Sequence, residues 1–197
     1  MTDDASRTTV LERIAHALTG AAKPAQPALP AEPAAGAGTD DRTVLAHRFA
    51  HELELVGGQT HFVAREGDLA DAIAAYAAAN GLGPASADLT TADYSLLRAH
   101  ALLADSGSAI VIERAQERRL APYFPRTCII VADADALQPG LSAAALASVH
   151  AAARAGDRGE AVIITGPSRT ADIEKTLVLG AHGPKTVAVF IVGVEPA

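Results

Sequence analysis

The chain has 197 residues, 49% apolar and 20% charged, with a formal charge of −7 and a pI near 5.4. A chain of this length buries roughly 70% of the surface it exposes when unfolded, which gives one ordinary domain and excludes wholesale disorder. The absence of any lysine- or arginine-rich run argues against nucleic-acid binding. No apolar stretch approaches the ~20 residues of a membrane span, and Met1-Thr2-Asp3-Asp4 lacks a basic signal segment, so a cytoplasmic protein is expected.

Residues Ser6 to Leu18 place Val10, Leu11, Ile14, Ala17 and Leu18 on one face of an amphipathic helix, with Gly20 as its stop. Residues 21–38 read AAKPAQPALPAEPAAGAG, whose four prolines remove donors and bar a helix, so this stretch is expected to be a flexible linker. The organisation predicted is therefore a helix over 1–20, a linker over 21–38 and a main domain over 39–197.

Within that domain, Thr39 or Asp40 is expected to cap a helix carrying Val44, Leu45, Phe49, Leu53, Leu55 and Val56, ended by Gly57-Gly58. A strand over Gln59–Ala64 and a helix over Asp68–Asn80 follow. Thr90-Thr91-Ala92-Asp93 is expected to open a further helical piece. The runs Ala101–Ala104 and Ala109–Ile112 read as strands joined by the polar turn Asp105-Ser106-Gly107-Ser108. Downstream come a strand at Thr127–Ala132, a helix at Leu141–Ala155, a strand at Ala161–Thr165, a helix at Thr170–Leu179 and a strand at Thr186–Val192. Buried strands interleaved with helices predict an α/β fold in three layers, a mostly parallel sheet with helices on both faces. Cys128, the only cysteine, lies in an apolar strand and reads as an inert core thiol. One cysteine makes neither an internal disulfide nor a cysteine-ligated iron–sulfur or zinc cluster.

In open α/β sheets, ligands gather where strands feed helix N-termini, whose free N–H groups favour anions. Thr165-Gly166-Pro167-Ser168-Arg169-Thr170 has that grammar. Gly166 permits close backbone approach, Pro167 stiffens the turn, Ser168 and Thr170 bring hydroxyls, and Arg169 brings a planar fork suited to carboxylate or phosphate. The same residues also read structurally, with Thr170 as an N-cap, Asp172 and Glu174 as first-turn acids and Arg169 in an ordinary ion pair. His182, between Gly180-Ala181 and Gly183-Pro184, is a candidate general base or a bystander in a loop. Asp105 and Ser106 form a second candidate loop or a plain Asx turn, and Glu113 ends the next strand. His47 and His51 stand four apart without the glutamate of HExxH, so no zinc site is expected there. Walker, Rossmann and nucleophile-elbow motifs are absent.

The run GPSRTADIE (Gly166 to Glu174) followed by GAHGP (Gly180 to Pro184) resembles the signature of the lactate-utilisation protein C family, the LUD-domain proteins. Weaker agreement comes from Phe49, Glu52-Leu53-Glu54 and Gly57-Gly58, from Thr90-Thr91-Ala92-Asp93, and from the Asp105 turn. Ser106 and Ser108 depart from the threonine common in relatives. The resemblance implies a fold similar to ribose-phosphate isomerases and CoA transferases, and membership of a bacterial system oxidising L-lactate to pyruvate beside iron–sulfur partner subunits. In such a reaction Arg169 would hold the substrate carboxylate and His182 would take the hydroxyl proton, while the electron acceptor lies elsewhere. The rival expectation is a module that binds an anionic metabolite without chemistry. A CoA transferase or sugar-phosphate enzyme would need an active-site carboxylate, for which Glu113 is the candidate.

Overall fold

The computed structural model describes residues 3–19, 41–84, 86, 88–113, 118–155, 160–171, 177–179 and 182–195. The chain divides into two compact units, residues 1–34 and 35–197. The first contains helix α1 (Asp3–Leu18), whose end is closed by the Thr19 hydroxyl donating to the Ala15 carbonyl at 2.8 Å. The linker stretch 21–38 lies outside the described residues.

The second unit opens with α2 (Arg42–Leu55), one residue later than the expected cap: the Asp41 carboxylate accepts from Thr43 N at 2.9 Å. Leu45, Ala46, Phe49 and Leu53 recur at helical spacing and are buried. Strand β1 (Gln59–Val63) and helix α3 (Leu69–Ala79) follow as expected. At Thr90-Thr91-Ala92-Asp93 the structure departs from the expectation of a helix. Asp88 Oδ1 accepts from both Thr90 N (2.9 Å) and Thr90 Oγ1 (2.7 Å), an Asx turn that leads straight into the ten-residue strand β2 (Tyr94–Leu103). The Leu- and Ala-rich sequence of β2 reads equally well as helix. Pairing on both sides, parallel to one strand and in a hairpin with another, makes it extended.

The hairpin from β2 to β3 (Ser108–Glu113) is antiparallel, as the Asp105 turn predicts. Then come β4 (Thr127–Asp133), the two-residue β5 (Leu137–Gln138), α4 (Ala143–Arg154), β6 (Glu160–Ile164), the short β7 (Arg169–Ala171) and β8 (Leu177–Leu179), and β9 (Thr186–Val192). Among the described residues the main sheet runs β1-β9-β4-β2-β3-β6, with β5 beside β2. Its first half is parallel, and β3 is antiparallel to both of its neighbours, β2 and β6. The fold is thus α/β with a mixed, mostly parallel sheet and flanking helices.

Where β2 passes from β4 to β3, its register shifts between Ala99 and Ala101. Such a bulge bends a strand and re-aims its side chains. One large core gathers α2 with residues from both halves of the sheet, including Leu97, Leu102, Val111, Ile130, Ile164 and Val189. The opposite face packs Ile129, Val131 and Phe190 against Tyr76 and Ala77 of α3, while Val149 of α4 covers Ala101, Leu103 and Ile110. Helices therefore lie on both faces, α2 on one and α3 and α4 on the other. At 25 cal/mol per Å² of apolar surface, side chains as fully enclosed as Phe49 and Leu53 stabilise by about 2–3 kcal/mol each.

The helix expected over Thr170–Leu179 is not what its ends adopt. Residues 169–171 and 177–179 are strands, paired antiparallel with Thr170 opposite Val178. Both are β-branched, and cross-strand pairing satisfies the extended backbone that their side chains favour.

Candidate functional site

The site begins at the C-terminal end of α2. Gly57 N donates to Glu54 O at 2.8 Å and Gly58 N to Leu53 O at 2.9 Å, with Gly57 at φ +85°, which closes the helix in the manner of a glycine C-cap. Gly58 has no room for a side chain, since a Cβ there would meet Leu53 Cδ1 at 2.4 Å. The Val56 carbonyl, left over at this end, accepts from Arg169 Nη2. A cation at the negative end of the helix dipole is favourable as well as hydrogen-bonded.

The expected helix N-terminus is replaced here by other neighbours. Among the described residues the loop after β6 leads into strand β7, and the helix end that Arg169 meets is the C-terminal end of α2, whose carbonyl Val56 O holds the guanidinium. Gly166, at φ +75° and buried, allows the contact. A Cβ there would lie 2.8 Å from Val56 Cγ2 and 3.1 Å from the Val56 carbonyl oxygen.

Three further contacts tie neighbouring segments to this point. Ser168 N donates to the Pro184 carbonyl at 2.9 Å, and a Cβ on Gly183 would lie 3.0 Å from Ser168 Cβ, so the two motif loops run against each other. The hydroxyls of buried Ser108 and of Thr165 share a hydrogen bond of 2.7 Å. Gly107, at φ +61°, rests on the backbone of α2 at Glu52 and Leu53. The structure therefore brings together the end of α2, the turn through Ser108, the loop at Gly166–Arg169 and the loop at His182–Pro184.

The remaining candidates are distributed as follows. Pro167 and Ser168 are half-buried, Arg169 and His182 exposed. Thr170 lies in β7, opposite Val178. Asp172 and Glu174 fall outside the described residues. Asp105 is exposed and turned toward Pro139-Gly140, where its N–H donates to the Pro139 carbonyl at 3.1 Å; Ser106, half-buried, closes the turn by donating from its N–H to the Leu103 carbonyl. Glu113 is not part of the cluster. It ends β3, five residues from Ser108 and so roughly 17 Å along the strand, where Arg118 Nε pairs with it at 3.5 Å.

Residues that sequence reasoning missed lie beside Glu113. A cavity of about 390 Å³ opens there, walled by Leu69 and Ile73 of α3 and floored by Leu96, Ile112 and Val131, with Arg98 and Arg118 at its margins. Arg98 is held by Asp133 at 2.5 Å and lies 4.0 Å from Glu66. The available signal was a lone arginine inside the apolar run of β2. Elsewhere, burial lowers His61, which stacks on Phe190 with ring centroids 4.7 Å apart. Burial also pushes the Cys128 thiol up to about 11. Among the described residues no group of three or more His, Cys, Asp or Glu side chains is placed to hold a metal ion, and no helix is long and apolar enough to cross a membrane.

The profile of the LUD domain matches residues 85–192, more than half of the chain. Lactate utilization protein C of Geobacillus kaustophilus (strain HTA426) is 36% identical over 92 residues, which cover 46% of this chain and 38% of that protein. Lactate utilization protein C 1 of Bacillus mycoides (strain KBAB4) is 32% identical over 117 residues, covering 57% and 50%. The alignments thus span half or less of these relatives' length. A crystal structure of a DUF162 family protein from Deinococcus radiodurans superposes with a TM-score of 0.55 at 22% identity, covering 77% of this chain and 98% of that one, which is a likeness of fold.

Proposed function

This chain belongs to the LUD domain family, and on that premise we propose that it is a cytoplasmic subunit of a bacterial system that oxidises L-lactate to pyruvate together with iron–sulfur partner subunits, on a fold of the ribose-phosphate isomerase and CoA transferase kind. The observation that carries this reading is the pairing of the two motif loops through Ser168 and Pro184. Arg169 is the residue after Ser168 and His182 lies two before Pro184, so both side chains leave the same pair of backbone segments.

Arg169 has five N–H donors in a rigid fork, and the bond to the Val56 carbonyl uses one nitrogen and fixes the orientation of the rest. The free edge of the fork then receives the lactate carboxylate. His182, exposed and carrying a basic ring nitrogen, receives the hydroxyl proton. The C2 hydrogen leaves as a second proton and two electrons. Those electrons pass to an acceptor outside this chain, a role assigned to the partner subunits.

A second reading is favoured by one contact. Because Arg169 also caps α2, its place in the fold is explained without any reaction, which fits a module that binds an anionic metabolite and does no chemistry. The CoA-transferase alternative loses its carboxylate, since Glu113 stands apart from the loop pair. The deciding experiment is anaerobic purification of the tagged full chain from its native host, followed by lactate-dependent dye reduction with wild type, Arg169→Lys and His182→Gln. Turnover that depends on copurified iron–sulfur protein, with KM raised at least tenfold by Arg169→Lys and kcat lowered at least a hundredfold by His182→Gln, supports the redox reading. Saturable lactate or pyruvate binding without turnover in any fraction supports the binding module, and unchanged kinetics in both variants refute the site.

A further inference from the structure

We propose that the cavity between α3 and the β2–β3 face binds a small amphipathic carboxylate, with its apolar chain on Leu96, Ile112 and Val131 and its carboxylate on the Arg118 guanidinium. This is a site separate from the motif loops, and the proposal does not depend on the lactate reading. Lactate carries a single methyl group and would leave most of a 390 Å³ space unfilled.

The first argument is coverage. Strand β2 is flanked on both sides by other strands, a position where the faces of an α/β sheet are normally sealed by helices. Here α3 covers the β9–β4 side and α4 covers the far end of the hairpin. Between them Leu96, in the middle of the sheet, is 43% exposed. The gap has the volume of a small-molecule site, and six of its nine lining residues are apolar, the other three being Arg98, Glu113 and Arg118.

The second argument concerns those polar groups. Glu113 and Glu160 are directly opposite each other across β3 and β6, an unfavourable pairing of like charges. Two consecutive arginines answer it. Arg119 closes on Glu160 at 2.9 Å, whereas Arg118 reaches Glu113 only at 3.5 Å, although that carboxylate is just 12% exposed. Arg118 is instead anchored over the cavity by donating from Nη2 to the Leu96 carbonyl at 2.8 Å. Its backbone bond and the flanking carboxylate orient the guanidinium before any ligand arrives, and among the described residues Nη1 meets no partner. Arg98, at the other margin, is committed to Asp133 at 2.5 Å. Arg118 is therefore the group with donors to spare, and an oriented guanidinium above an apolar floor selects a carboxylate with a hydrocarbon chain over a neutral or cationic analogue.

The test is calorimetric titration of the full chain with straight-chain carboxylates from acetate to octanoate, alongside the matching primary alcohols and alkylammonium ions. Each methylene seated on the floor is expected to tighten binding about fourfold until the cavity is filled. The alcohols should bind at least tenfold more weakly than the carboxylates, and the ammonium ions not at all. Arg118→Gln should weaken octanoate at least tenfold while leaving octanol unchanged, and Leu96→Trp should abolish both by filling the floor. Ile112→Phe gives a second cavity-filling variant should Leu96→Trp lose its folded circular-dichroism spectrum. No saturable binding by any carboxylate up to ~10 mM, ammonium binding equal to carboxylate binding, or wild-type affinity in folded Arg118→Gln would each overturn the proposal.

Discussion

Replacing Gly107 by alanine puts a methyl group where the β2–β3 turn rests on α2. Two costs add. At φ +61° an L-residue is destabilised by about 1–2 kcal/mol. The new Cβ would also sit 2.3 Å from Leu53 N and 2.6 Å from Leu53 Cα, which are helix backbone and cannot swing aside, and overpacking of this kind adds about 1–3 kcal/mol. The sum is about 2–5 kcal/mol. Gly81 provides the control, since it has nearly the same φ, +65°, but nothing within 4 Å of a built Cβ. Gly81→Ala should therefore show only the conformational cost of about 1–2 kcal/mol. Urea unfolding followed by far-UV circular dichroism separates the two, because the chain has no tryptophan to report by fluorescence. With m near 2 kcal/mol/M, the Gly107→Ala midpoint should fall about 0.5–1.5 M below that of Gly81→Ala. Coincident midpoints would refute the claim that the turn is seated on the helix.

Two further outcomes are expected. Burial lowers His61 below its ordinary value of 6.5, so at mildly acidic pH the unfolded chain binds a proton that the folded chain refuses. Stability from this group is full above pH ~6.5 and declines as pH falls below it; in urea titrations across pH 5–8, His61→Phe should flatten that decline while keeping the ring stack on Phe190. Cys128, raised to about 11 by burial, should not react with Ellman's reagent at pH 8 in the native chain, and should release one equivalent of thionitrobenzoate in 6 M guanidinium.

The sequence was most legible where local pattern and global role coincide. Val187 to Val192 is an uninterrupted buried run, and it forms the centre of the parallel half. Asp105-Ser106-Gly107-Ser108 announces its hairpin through turn chemistry, and Gly57-Gly58 announces a helix end. The misreadings share a cause. Tyr94-Ser95-Leu96-Leu97-Arg98-Ala99 carries no period that separates strand from helix, and only insertion between β4 and β3 decides it. Thr170 and Val178 sit in a span that reads as helix in an alanine-rich chain, yet they face each other across a two-stranded ribbon. The candidate site was legible as two motifs but not as a place. Arg169 meets Val56, 113 residues earlier, and no local signal marks that partner. The cavity beside Arg118 was hidden for the same reason, since its walls come from separate elements.

The position of β9 has a consequence for how the chain is made. Among the described residues it comes after every other strand, yet it lies between β1 and β4 and bonds to both along its length. Until it has left the ribosome, β1 and the apolar β4 present open edges toward each other with nothing between them, a situation prone to pairing with a neighbouring chain. The Ser168–Pro184 contact closes just ahead of β9, so the loop pair is completed at the same late moment. Emergence of β9 is therefore one event that seals the sheet and assembles the candidate site, and a nascent chain stalled before Thr186 would be adhesive with its candidate site unassembled.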